Sequence, residues 1–187
     1  IFYEQKLKFM KIKSLLLLIC FVFITSCSIN QNMKPTDFKD QKPRLIIEEY
    51  LSGNVKAWGI LQNRSGKVTR QFSADLNGSW DGKKLILDEK FNWSDGEIQN
   101  RQWNITKIDE HNYEGTAGDV VGTAKGYSYG PAFKFEYVLL VPVKGKEIKI
   151  TFDDWIFMQD ERVAINRATM TKFGIKVAEL TVMFVKD

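Results

Sequence analysis

The sequence predicts an all-β protein: a roughly ten-stranded antiparallel up-and-down β-barrel with a short N-terminal helix. Three observations carry that expectation. From Asn54 to the end, apolar residues recur with a period of two, as in strands with one buried face. Turn signals rich in Gly and Asp punctuate the pattern at short, even intervals. About ten such segments fit into residues 54–187, and closing a meander of that size removes its exposed edges. The aromatic content of 13% also suits strands.

The front of the chain is set aside first. Residues 1–9, IFYEQKLKF, precede Met10 and are expected to be an over-called start, absent in the cell. Residues 10–26 read as a lipoprotein signal peptide. Lys11 and Lys13 precede an unbroken apolar run from Leu15 to Ile24, long enough for a signal core and too short to cross a bilayer as a helix. Ile24-Thr25-Ser26-Cys27 resembles a bacterial lipobox, which makes Cys27 the expected lipidation site and membrane anchor. The alternative is an ordinary thiol just past a transmembrane anchor. Ser28, where Asp would favour inner-membrane retention, resembles the outer-membrane class. The expected location is therefore the periplasmic leaflet of the outer membrane.

Removing residues 1–27 takes away four lysines and one glutamate and leaves 23 basic against 22 acidic residues. No nucleic-acid footprint remains. With Cys20 in the signal and Cys27 acylated, the domain has no thiol, and its one histidine is His111. Cysteine- and histidine-cluster metal sites are excluded, and no cofactor is expected.

Residues 27–44 comprise the lipidated cysteine and a polar stretch with two of the four prolines, read as a flexible tether. Residues 45–187 form the expected barrel domain. LIIEEYLSG (45–53) predicts a short helix ended by Gly53, with Leu45, Ile46 and Tyr50 as contacts, placed to close one barrel mouth. Strands are then expected at 55–63, 67–78, 84–93, 97–108, 112–118, 119–129, 132–141, 146–158, 162–172 and 175–186, with turns at Arg64-Ser65-Gly66, Asp81-Gly82, Asp95-Gly96 and Gln159–Arg162. The five tryptophans are spread over separate segments and are expected to pack the core.

The densest chemistry lies in TFDDWIFMQDERVAINRA, residues 151–168. It reads as a hairpin with Asp160 and Glu161 in a solvated turn. Asp153, Asp154, Trp155, Asn166 and Arg167 form its signature. The double Asp suggests a bulge. Arg167 alternates with Val163 and Ile165, which would turn it inward, where it could orient a carboxylate or fix the hairpin register. Charges also fall in phase with apolar faces elsewhere: Arg70 with Phe72, Glu89 with Leu87 and Phe91, Arg101 with Trp103. Lone charges in a dry core cost several kcal/mol each, so these must pair or meet water or ligand.

Catalysis has weaker support. His111 sits in a predicted turn without a Ser or Cys partner. No nucleophile-elbow, P-loop or dinucleotide fingerprint occurs in its required context. Asp153 and Asp154 offer acid–base chemistry only if a bulge lets them converge.

Four segments, EEYLSGNVKAWGILQNRSGKVTRQF, GSWDGKKLILDEKFNWSDGE, YEGTAGDVVGTAKG and DDWIFMQDERVAINRATMTKFG, resemble bacterial lipoproteins of the domain-of-unknown-function family 3833. The resemblance covers roughly residues 44–187. It implies a lipid-anchored envelope protein, mildly favours a lipid ligand, and supplies no catalytic residue.

The functional expectation is a lipocalin-like binder of a fatty acid, lysolipid or other amphipathic anion. Its pocket residues would be Arg70, Glu89, Arg101 and Arg167, with Phe72, Trp103 and Phe135 as walls, around an open cavity of several hundred Å³. The chain is expected to be a monomer. The alternatives are a filled barrel acting as an envelope scaffold or protein-interaction module, and an enzyme on a lipid substrate using Asp153 or Asp154.

Overall fold

Ten antiparallel strands close into a barrel in chain order: β1 (Gly53–Asn63), β2 (Val68–Trp80), β3 (Lys84–Trp93), β4 (Ile98–Lys107), β5 (Asn112–Thr116), β6 (Ala124–Tyr129), β7 (Ala132–Val143), β8 (Lys146–Met158), β9 (Val163–Lys172) and β10 (Ile175–Lys186). This computed structural model describes residues 33–143 and 145–187. Each strand pairs with its sequence neighbours, and β1 pairs with β10, Val55 opposite Lys186, to complete the circle. The expected meander is present, and β3, β8 and β10 have the bounds that periodicity alone predicts.

One expected strand is shortened at its start. Residues 119–129 form a strand only from Ala124. Residues 117–123 instead make a loop, with a positive φ at Gly122 and a single bridge from Val120 to Leu139. Because β5 stops at Thr116, it covers β4 only along Asn104–Lys107. The loop therefore fills the wall between the first half of β4 and the second half of β7.

A four-residue helix, α1 (Ile47–Tyr50), plugs one barrel end. Leu45, Ile47, Tyr50 and Leu51 are buried there; Ile47 takes the contact expected of Ile46, which is only half-buried. Gly78 makes the plug possible: a Cβ at that position would stand 1.9 Å from the Leu51 carbonyl oxygen. Glu48 is buried in the plug, pairs with Lys107 and accepts a hydrogen bond from Tyr113 Oη at 2.9 Å. Burial pushes its carboxyl up, but Lys107 and the other hydrogen bonds outweigh that and hold it below the ordinary range.

The expected tether is shorter than residue 44. Pro35–Phe38 form a 3-10 turn, and the Phe38 ring packs 6.1 Å from Trp155 and 5.4 Å from Phe157 on the outer wall. Leu45 N then donates to Gly130 O at 2.8 Å. The expected signal peptide and Cys27 lie outside the described residues.

Candidate functional site in the barrel interior

Strand alternation carries the interior chemistry. On β3 and β4, Glu89 and Arg101 are register partners; they follow Leu85 and Leu87 on one strand and precede Trp103 and Ile105 on the other, all four buried. On β8, Ile150, Phe152, Asp154 and Ile156 alternate in phase, and pairing with both neighbours runs without a bulge. Asp154 therefore enters the barrel while Asp153 faces out, 3.4 Å from Lys134 Nζ. On β9 the inward residues are Ala164, Asn166 and Ala168, all buried.

These chains border a cavity of about 100 Å³ walled by Phe72, Phe91, Trp103, Phe133, Phe135 and Tyr137. It is far smaller than the several hundred Å³ expected, because the aromatics pack on one another. Trp103 stands 5.1 Å from Phe135 and 5.2 Å from Tyr137, and Phe72 stands 5.2 Å from Phe91, centroid to centroid.

Arg101 is the central cation. Its Nε donates to both Asp119 oxygens, at 3.1 and 3.0 Å, and its Nη2 donates to Asp119 Oδ2 at 2.7 Å. Asp119 comes from the wall-filling loop. Glu89 Oε2 lies 3.7 Å from Arg101 Nη1, too far for a hydrogen bond, and among the described residues this buried oxygen has no hydrogen-bond partner. Burial pushes the Glu89 carboxyl up to about 7; Arg101 opposes the shift, while Asp154 and Asp119 add to it. Asp154 accepts from Tyr137 Oη at 3.0 Å and from Asn166 Nδ2. Burial still raises its carboxyl to about 6. The Tyr137 phenol is pushed well above its ordinary value, chiefly by burial.

The site thus sets one guanidinium, already satisfied by Asp119, against two further carboxyls. The expected set of three inward arginines is not assembled. Arg70 sits at the rim opposite the plug, bound to Asp95 (2.7 Å) and Glu97 (2.8 Å) and stacked 4.0 Å from the Trp93 ring. Arg167 faces solvent and pairs with Glu179 at 2.9 Å, its side chain 65% exposed. The sequence reading had its phase inverted. Val163 and Ile165 alternate with Arg167 on the outer face, while the inward positions opposite the aromatic wall are held by the small or polar Ala164, Asn166 and Ala168.

Phe72, Trp103 and Phe135 line the cavity. Trp155 is buried on the outer surface against Phe38, and Trp58 is 46% exposed rather than in the core. Asp160 caps its own turn, its Oδ1 accepting from Arg162 N and Val163 N. Tyr137, the inward face of Asn166 and the pairing of Asp119 with Arg101 were not found from sequence. Tyr137 alternates with Phe133 and Phe135 and was legible there. Asp119 reaches Arg101 only through the loop, which no periodicity marks.

The sequence profile of a family described as "Protein of unknown function (DUF3833)" matches residues 21–186. Among curated proteins no relative matches. Among solved structures, the chain is similar to the S-type phycobiliprotein lyase of Guillardia theta (TM-score 0.55, 9% identity, 75% of this chain and 90% of that one). It is also similar to a protein of unknown function from the DUF3598 family of Nostoc punctiforme (TM-score 0.58, 14% identity, 79% of this chain and 51% of that one). The chain thus spans about half the length of the Nostoc protein. At these identities the likeness concerns the fold, which is a lipocalin-like β-barrel.

Proposed function

The chain belongs to the DUF3833 family, and from that premise we propose that it binds a small, largely apolar molecule inside its barrel, with the molecule's polar group donating a hydrogen bond to Glu89. One observation carries this reading: among the described residues, Glu89 Oε2 is buried without a hydrogen-bond partner, beside a cavity with aromatic walls. An orphaned buried acceptor costs about 1–3 kcal/mol, which a donor on a ligand would recover. The charge balance disfavours a free carboxylate, since Arg101 is already neutralised by Asp119. A hydroxyl, an amine or a protonated fatty acid meets the requirement. The half-buried Phe91, Leu180 and Phe184 border the cavity.

The test is displacement of an environment-sensitive fluorophore from the purified full-length chain by an alcohol, a carboxylate and an alkane of equal length at pH 8. The alcohol is expected to bind most tightly, and Glu89→Leu to weaken the alcohol but not the alkane. Failure of all three to bind would favour the filled-barrel scaffold. That alternative draws on the small cavity and on the ion pairing of Arg70, Arg101 and Arg167.

A second reading is acid–base chemistry on the bound molecule. Two carboxyls, Glu89 and Asp154, are both raised toward neutrality at one cavity, as acid–base residues often are. Conversion of a bound alcohol ester that survives in both Glu89→Gln and Asp154→Asn would remove it. We further propose that Cys27 is acylated and holds the domain at the outer membrane, as the lipobox-like sequence suggests. Metabolic labelling with an alkyne fatty acid, lost in Cys27→Ser, tests the acylation, and membrane fractionation tests the location.

A further inference from the structure

The two barrel ends differ in charge and in exposed apolar surface. Turns at the plugged end carry Asp81, Asp109, Glu110, Asp160 and Glu161 beside Lys83 and Arg162, and Arg44 pairs with Glu110. At the opposite end, the β1–β2, β7–β8 and β9–β10 turns carry Arg64, Lys67, Lys146, Lys172 and Lys176. Among the described residues, Arg64, Lys67, Lys146 and Lys172 have no carboxylate partner, while Lys176 pairs with Glu179. These turns form one arc, because β8 pairs with β9, β9 with β10, and β10 with β1. Glu147 is the exposed acid on that arc; Asp95 and Glu97, on the β3–β4 turn, are held by Arg70.

The tip of the arc is apolar. Phe173 is 93% exposed, Ile175 is 55% exposed, and Val68 and Val143 stand exposed beside them. Phe173 and Gly174 form the two-residue β9–β10 turn, with φ of 51° and 75°. Asn or Gly suits the first of those positions, whereas a bulky aromatic in left-handed conformation is strained. Among the described residues, the most exposed aromatic thus sits where the fold disfavours it. Lys172 Nζ lies 5.5 Å from that ring.

We propose that this end of the barrel docks on an anionic lipid bilayer, with Phe173 and Ile175 entering the interface and the flanking lysines and Arg64 meeting lipid phosphates. Exposed aromatics between basic residues suit that boundary, where apolar side chains leave water and cations meet anionic headgroups.

The test uses full-length chain in vesicles, with 4-fluorophenylalanine placed site-specifically at residue 173. Fluorine relaxation by an aqueous gadolinium chelate is expected to fall severalfold in phosphatidylglycerol-containing vesicles relative to phosphatidylcholine alone. Relaxation by a nitroxide on the lipid chains should rise to match. The contrast should shrink at salt on the order of 0.5 M, where the Debye length is about 4 Å, and in K172E/K176E. The same label at Ile108, exposed at the plugged end just past Lys107, should stay accessible to gadolinium throughout. Equal accessibility of both positions in anionic vesicles would overturn the proposal. So would protection of residue 173 in concentrated protein without lipid, which would mark self-association instead.

Discussion

Arg101 reaches 18 residues along the chain to grip Asp119, donating from Nε to both carboxylate oxygens and from Nη2 to one of them. A strand residue is thereby tied to the loop that fills the wall between β4 and β7. The same cation leaves Glu89 a weaker, longer contact of 3.7 Å.

Asp119→Asn keeps the loop's size and removes its charge. Breaking a buried ion pair costs about 3–5 kcal/mol, and the roughly one-third exposure of Asp119 reduces that to about 1–3 kcal/mol in urea unfolding. The freed guanidinium then attends to Glu89, and the repulsion from Asp119 disappears, so the Glu89 carboxyl should titrate lower by carbon NMR. An unchanged Glu89 titration would show that the two acids are not coupled through Arg101.

Glu89 gives stability a definite slope with pH. Its folded value of about 7 exceeds the ordinary 4.5, so between those limits the folded state holds the extra proton. The resulting stabilisation is fully present below about pH 4.5 and is lost as pH rises through about 7. Asp154, raised to about 6, acts in the same sense. The protein should therefore be roughly 2–3 kcal/mol more stable at pH 5 than at pH 8. Glu89→Gln should flatten much of that slope and be more stable than the parent at pH 8. A parent curve that rises toward pH 8 would contradict the buried placement of Glu89.

Gly78→Ala tests the plug. Its Cβ would collide with the Leu51 carbonyl, and overpacking of this kind costs about 1–3 kcal/mol. Hydrogen exchange should quicken at the Tyr50 and Leu51 amides, which donate to Ile46 and Ile47 carbonyls, while the β8–β9 ladder keeps its protection.

Arg167→Ala is the contrasting case. The pair with Glu179 stands outside the barrel, and an exposed ion pair contributes about 0–1 kcal/mol. Stability should barely move and fluorophore displacement should not move at all. A large loss of ligand affinity would place Arg167 in contact with the ligand despite its outward side chain.

Fold and site were unequally legible. Strand alternation and turn chemistry are local, so β3, β8 and β10 could be bounded from sequence and closure inferred from their number. The inward phase of Glu89 and Arg101 followed from the same rule. The rule inverted on β9, where Val163 and Ile165 face water while Ala164 and Ala168 face the aromatic interior. Apolar character marks the core only when the space is large enough for it. The double Asp misled for the opposite reason: no bulge was needed, because Asp154 finds Tyr137 and Asn166 inside. The pairing of Asp119 with Arg101 was illegible because it is made by a loop that crosses the sheet, and the hydropathy pattern says nothing of such crossings.

The seam between β1 and β10 has a kinetic consequence. Nine of the ten strand pairings can form between sequence neighbours, but Val55 meets Lys186 only when the last strand is available. Closing so long a loop must precede any reward from the contacts it makes, and such non-local topologies fold slowly. Before that event the sheet carries two open edges, and the interior carboxyls remain wet. A chain truncated before β10 would stay in that open state, competent to pair with another copy of itself. The completed circle is therefore also the step that ends its exposure to aggregation.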